Sequence, residues 1–340
     1  MGRLDDFDQD NYHQNFLRES INKSSSNNNN NNNNNNISSR LINRVNNLSY
    51  ANPQTPNYYQ NIKTTNVPEP ISTYDPTKKL IIHCCHHKTG TVVMEKILRH
   101  FCHEKGLKYQ YCGQRGLKPD TDVWIENHSH IDFSKIDRPI RGTHMIRHPC
   151  SIIVSAYEYH KITPERWTNR KIKKLEGTPS YKDILKKFNL TDGMKFEMSN
   201  SFFTESSQRT INDIYNWDYT RENFLELKYE HLMADYNTTI RNMFKFYGFP
   251  SEDIELAVKI AKKYNIRNKD FTDYKTVHIT NKKIDLDLWK KYFTKELVET
   301  FVETYPDDLF ERLGYYTDDI KKHAETLTDK LNVTENILSP

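Results

Sequence analysis

The sequence predicts an α/β fold, three layers built on a central parallel sheet, and three repeated patterns predict it. The first is a β-rich apolar run, Leu80-Ile-Ile-His-Cys-Cys85. It is followed by Val92, Val93, Ile97, Leu98 and Phe101 at helical spacing, with Glu95, Lys96 and Arg99 on the other faces. The second is Thr143-His-Met-Ile-Arg-His-Pro149, followed by the helical Ser151-Ile-Ile-Val-Ser-Ala-Tyr157. The third is Phe224-Leu-Glu-Leu-Lys-Tyr229, followed by a helix over 238–247 that Gly248 and Pro250 bring to a stop. Strands that alternate with helices pair in parallel and have both sheet faces covered.

Composition bounds the remaining possibilities. Apolar residues make up 36% of the 340, enough for a core, while 49 Lys+Arg against 45 Asp+Glu leave a net charge of only +4, which argues against a nucleic-acid surface. No run of eighteen apolar residues is present, so a membrane span is not expected. The opening Met1-Gly-Arg-Leu-Asp-Asp is too acidic for a secretory leader, and Asp6 breaks the myristoylation pattern. Five cysteines without framework spacing fit a reduced, cytoplasmic chain, in which the sequons at Asn127 and Asn237 have no consequence.

Unbroken asparagine over 27–36, flanked by serine, places residues 1–70 among low-complexity segments that cannot offset their ordering entropy; this region is expected to be disordered. The folded domain is expected over 79–316, with 317–340 a helical or disordered tail.

Between the first strand and its helix stands His87-Lys88-Thr89-Gly90-Thr91, where an open α/β sheet places its ligand crevice. Gly90 permits a tight turn, Thr89 and Thr91 bring hydroxyls, Lys88 brings a mobile charge, and the helix N-terminus, with Val92 in its first turn, favours an anion. The order differs from a Walker A loop, because the first glycine is absent and the lysine precedes Gly90. A second anion site is indicated by Arg147, at a strand end, with Ser155 eight residues later on the next helix.

Together these segments resemble the sulfotransferase family. The loop is similar to that family's Lys-[Ser/Thr]-Gly-Thr 5′-phosphosulfate loop, and residues 144–160 are similar to its 3′-phosphate segment, with Arg147 and Ser155 at the same separation. Leu227-Lys-Tyr229-Glu230-His-Leu232 resembles its Tyr-Glu-Asp-Leu strand. Trp289-Lys-Lys-Tyr-Phe293-Thr294 and Leu313-Gly314-Tyr315 resemble its closing motifs. The resemblance covers roughly 79–316 in the family's order and implies a P-loop-like phosphosulfate-binding loop. It further implies sulfuryl transfer from 3′-phosphoadenosine 5′-phosphosulfate (PAPS) to a hydroxyl or amine of a small-molecule or carbohydrate acceptor, without a metal.

The resemblance assigns Lys88 to the leaving phosphate and Thr89, Gly90 and Thr91 to the 5′-phosphate, with Val92 beside them in the donor site. It assigns Arg147 and Ser155 to the 3′-phosphate and Tyr229 to the adenine side. For the general base, Glu126-Asn127-His128 aligns with the family's Lys-Thr-His, which makes His128 first choice. His130, which an extended strand would point the same way, and Glu126 itself remain alternatives. Three departures stand out. Glu126 replaces the motif's lysine, Val93 replaces an aromatic, and the late Arg-Lys-Gly is missing, with Lys282 and Lys283 in its neighbourhood.

Other features have plainer readings. His83-Cys84-Cys85-His86-His87 reads as a buried strand entering the loop rather than a metal site, because alternation sends neighbours to opposite faces. Tyr157, Tyr159, His160 and Trp167 suit either core packing or an aromatic acceptor pocket, and the lysines at 171–174 suit a solvated face. Two rivals to the transferase are a nucleotide-binding relative without catalysis and, less favoured, a nucleotide-dependent kinase.

Overall fold

The computed structural model describes residues 79–173, 175, 177–267, 285–316 and 320–327. The region 1–70, Lys174, Lys282 and Lys283 lie outside the described residues. The described residues fall into two compact units, one drawn from 79–162 and 203–289, the other from 163–202 and 290–327.

The first unit holds a five-stranded, wholly parallel sheet: β1 (Leu80–Cys84), β2 (Tyr109–Tyr111), β3 (Val123–Glu126), β4 (Ile140–Ile146) and β5 (Phe224–Lys228), in the order β2-β3-β1-β4-β5. The fold class is as the sequence predicts, with β2 and β3 added to the three strand-and-helix pairs. Helix α1 (Thr91–Lys105) begins at Gly90 and ends at Gly106, both left-handed. Helix α2 (Pro149–His160) starts on Pro149, whose missing N–H costs nothing in a first turn. There follow α3 (Ser207–Tyr215), α4 (Tyr229–Ala234), α5 (Tyr236–Tyr247) and α6 (Ser251–Lys263). The helix expected at 238 begins earlier, at Tyr236, because Asp235 caps it by accepting from the Thr238 amide, and Gly248 closes it.

Register divides the sheet into two chemically different faces. Cys84 stands opposite Glu126 on one side and His144 on the other, and His144 stands opposite Glu226. Residues in one row of a parallel sheet share a face. On that face Leu80, Ile82, Trp124 and Phe224 pack with Trp217, and its C-terminal edge carries the polar row Glu126, His144, Glu226. The other face presents Ile81, Val123, Ile125, Met145 and Leu227 to the buried side chains of α1, α5 and α6. There His83 Nδ1 lies 2.8 Å from Thr143 Oγ1, which is 2.6 Å from the Tyr247 hydroxyl.

The second unit is helical. Ser180 and Asp183 form a capping box at Tyr181–Lys187, Asn189 caps Leu190–Ser199, and Thr294 caps Lys295–Thr304. Tyr181 packs between Trp167 and Phe196, with ring centroids 5.1 and 4.9 Å apart, so Trp167 belongs to this unit's aromatic core. Lys171 bonds Asp183 at 3.0 Å on the surface. Residues 320–327 form a helix that buries Ile320 and Ala324.

Gly142 in β4 has no room for a side chain, because a Cβ there would lie 2.1 Å from Phe224 Cε1. Gly142→Ala should destabilise the protein by about 1–3 kcal/mol through overpacking, measured by denaturant unfolding, and Phe224→Leu in the same chain should recover part of the loss. An unaffected midpoint in the single variant would contradict this packing.

Candidate functional site

The chain leaves β1 toward β3 and β2 on one side and crosses back to β4 and β5 on the other. The crevice of this open sheet therefore lies beyond the C-termini of β1 and β4. Both sequence-derived anion sites fall there.

Two residues of the turn after β1 are left-handed: Lys88, with φ 65°, and Gly90, with φ 105°. A Cβ at position 90 would in addition crowd the Tyr229 ring, at 3.0 Å from its Cδ2. The strain at Lys88 is held by Thr89, whose hydroxyl accepts from the His86 amide at 2.9 Å and donates to the His86 carbonyl at 2.8 Å. Thr91 donates to the same carbonyl at 3.0 Å. Both threonine hydroxyls thus fasten the turn, and Thr89 is fully buried. What the turn presents is main chain and the start of α1. Gly90 gives this helix no side-chain cap, its first turn carries no acidic residue, and Val92 is half-buried there. An N-terminus of that kind favours an anion.

Arg147 joins the two strand ends. Its Nη1 donates to the Lys88 carbonyl at 3.0 Å, and its guanidinium lies 4.6 Å from the centre of the Tyr229 ring, the ring that also packs against Gly90. Its Nε is buried and without a hydrogen-bond partner. Such a donor is costly to leave unpaired. The orphaned Nε, the Gly90 cradle and the uncapped helix start all fit a phosphate-bearing ligand. Ser155 is half-buried in the second turn of α2. The Lys88 ammonium rests 3.9 Å from the Tyr159 ring centroid, and beside it His87 and His160 stack at 5.0 Å with their Nε2 atoms 2.9 Å apart.

The candidate bases lie just past β3, but not as strand residues. The strand ends at Glu126, and Ser129 takes φ 57°, so 127–130 is a turn and the strand geometry expected for His128 and His130 does not hold. Glu126, 3% exposed, accepts from the amides of His128 at 3.0 Å and His130 at 2.9 Å. Burial still raises its pKa above the usual carboxylate value, against the pull of those amides. The His128 and His130 rings are 5.9 Å apart. Their environments differ, since burial brings His128 down to about 4, whereas Asp213 on α3, 3.0 Å from His130 Nε2, raises His130. The sequence reading missed Asp213, and it missed His86, His144 and Glu226, which line the same edge. No local pattern marks residues that meet only through the fold.

The family model described as "Sulfotransferase domain" matches residues 14–314. Sulfotransferase 2A6 of Mus musculus is 26% identical over 179 residues, covering 49% of this chain and 55% of that protein, so the chain spans about half the length of the curated relative it matches. Two solved structures are similar. Mouse sulfotransferase SULT7A1 complexed with PAP has a TM-score of 0.45 at 15% identity, over 72% of this chain and 88% of that one. Retinol dehydratase in complex with androsterone and inactive cofactor PAP has a TM-score of 0.40 at 14% identity, over 72% and 83%.

Burial of neutral histidines carries a stability signature. His83 is fully buried and its pKa is lowered to about 3 by desolvation, and His86 is lowered well below the ordinary value for the same reason. Below about pH 6.5 the unfolded chain binds protons that the native state refuses, so stability is lost as the pH is lowered. His83 alone steepens the fall by about 1.4 kcal/mol per pH unit. Denaturant unfolding at stepped pH reads the slope, and a flat profile from neutrality to about pH 5 would contradict neutral burial.

Proposed function

Since the chain belongs to the sulfotransferase domain family, we propose that it is an enzyme that transfers a sulfuryl group from PAPS to a hydroxyl or amine of a small-molecule or carbohydrate acceptor. The observation that carries this reading is the cluster of Lys88, Gly90, Arg147 and Tyr229 at the crevice between β1 and β4, with an unpaired buried Arg147 Nε. Residues 79–316 are proposed as the transferase domain and 1–70 as a separate low-complexity region. Among the described residues no helix is long and apolar enough to cross a membrane. Together with five free cysteines, this suits the proposed cytoplasmic setting.

PAPS supplies the activated sulfuryl group; the protein supplies position and charge. The main chain at 89–91 and the start of α1 hold the 5′-phosphate, Arg147 and Ser155 hold the 3′-phosphate, and Tyr229 backs both sites. Lys88 neutralises charge on the departing phosphate, and the strain of its left-handed backbone is retained because the turn fixes where the ammonium starts. His128 takes the acceptor's proton on a ring nitrogen, and its burial keeps that nitrogen unprotonated at neutral pH. A second reading gives this step to His130, favoured by the Asp213 ion pair that orients it and strengthens it as a base.

Thermal-shift titration with adenosine 3′,5′-bisphosphate, beside 5′-AMP, ADP and ATP, tests the donor site. At a hundredfold excess over its Kd the bisphosphate should add about 2.7 kcal/mol of stability. Arg147→Ala should remove that gain, and a stronger response to ATP would turn the reading to a kinase.

Lys88→Ala should abolish transfer with the fold intact. The pH profile of kcat/KM separates the bases. With His128 in the role, the acid limb falls only near pH 4, where that ring is protonated. A limb above the ordinary histidine value of about 6.5 would assign the proton to His130.

A further inference from the structure

Four side chains form a continuous hydrogen-bonded array across the edge of the sheet. On β5, Glu226 Oε2 lies 2.7 Å from His144 Nδ1, while its Oε1 accepts from Trp217 Nε1 at 3.1 Å. His144 stacks on Trp217 at 4.2 Å with 16° between the planes. His144 Nε2 lies 2.7 Å from His86 Nε2, and that nitrogen is 3.1 Å from Ser129 Oγ, which also donates to the Cys85 carbonyl at 3.2 Å. Both histidines are essentially inaccessible to solvent. Facing the array are His128 and His130 at the His86 end, and Lys228 and Cys84 beside Glu226.

With Glu226 ionised and both histidines neutral, hydrogen counting gives the direction of every bond. An ionised carboxylate only accepts, so Glu226 requires a hydrogen on His144 Nδ1. A neutral His144 then has a bare Nε2, which must accept from His86 Nε2–H. That hydrogen also points toward Ser129 Oγ, whose own hydrogen goes to the Cys85 carbonyl. The His86 hydrogen is shared between His144 Nε2 and Ser129 Oγ, and every acceptor in the array has a donor. With the opposite tautomer, His86 Nε2 is bare and competes with the Cys85 carbonyl for the single serine hydrogen. Ser129 is the left-handed residue between His128 and His130, whose amides are tied to Glu126.

We propose that Glu226, His144 and His86 are positioning residues for the turn that bears His128 and His130, acting through Ser129. The carboxylate selects the tautomer of His144, His144 selects that of His86, and His86 holds Ser129 in the backbone conformation that aims the proton-accepting imidazole. None of the three touches the acceptor. Only the last link, from imidazole to turnover, rests on the sulfuryl-transfer reading.

Glu226→Gln tests the array with little change in shape. The amide oxygen can still take the Trp217 N–H, and its NH2 then faces His144 Nδ1 and inverts the tautomer. Nitrogen-15 spectra of the ligand-free, histidine-labelled protein should place the hydrogen on His144 Nδ1 in the wild type and on Nε2 in the variant. The ring signals of His128 should move with it. Ser129→Ala should move the His128 signals while leaving His144 unchanged. With PAPS and 4-nitrophenol as the acceptor probe, Glu226→Gln should lower kcat roughly tenfold to a hundredfold, the scale of a lost outer partner to a functional histidine, with the affinity for adenosine 3′,5′-bisphosphate retained.

The proposal is overturned if the His144 tautomer inverts while the His128 signals and kcat stay put, or if bisphosphate affinity and Tm fall together, which marks general loosening. If the wild type neither binds the bisphosphate nor sulfates the phenol, the transferase reading fails instead. The ligand-free spectra then still decide whether the array orders the turn.

Discussion

Everything at the crevice depends on the register of three parallel strands, in which Cys84 stands opposite both Glu126 and His144. Side chains alternate strictly along a strand, so a slip of one residue in β4 would send His144 into the face packed by α1 and α5 and bring Thr143 out in its place. The register is pinned by two apolar faces of different composition, with Trp124, Trp217 and Phe224 on one and the Met145 and Leu227 cluster on the other. The largely apolar β1 run, buried at every residue, is therefore what puts the loop and Arg147 at one edge.

Around that edge two kinds of group do different work. The loop presents main chain and a helix start, because its threonine hydroxyls are spent on the His86 carbonyl. The two histidines at the turn after β3 are set apart by their surroundings rather than by residue type. Burial depresses His128, while an aspartate on a distant helix raises His130, so one residue of separation in the chain yields two imidazoles of opposite character.

The legible parts of the sequence were those in which one short segment carries the whole signal. The β1 run, the Gly90 start of α1 and the Gly248 stop of α5 are local patterns, and each stands where the pattern placed it. The strand β2 was not legible because its three residues, Tyr109–Tyr111, are short, half-exposed and without alternation. The 127–130 segment misled for a specific reason: a non-glycine residue, Ser129, takes a left-handed conformation stabilised by contacts to Cys85 and His86, more than forty positions earlier. Asp213 and the His144 to Glu226 bond, 82 residues apart in sequence, are likewise products of topology, which residue type and spacing cannot announce.

The double role of the Thr89 hydroxyl bears on how the loop can vary. An oxygen that accepts from the amide and donates to the carbonyl of one residue is a staple across a single peptide turn, indifferent to whatever sits outside. Serine preserves it and valine, of nearly the same shape, does not. The restriction on that position therefore comes from the curvature of the backbone, and an invariant hydroxyl there would record the architecture of the turn rather than the identity of the molecule it receives.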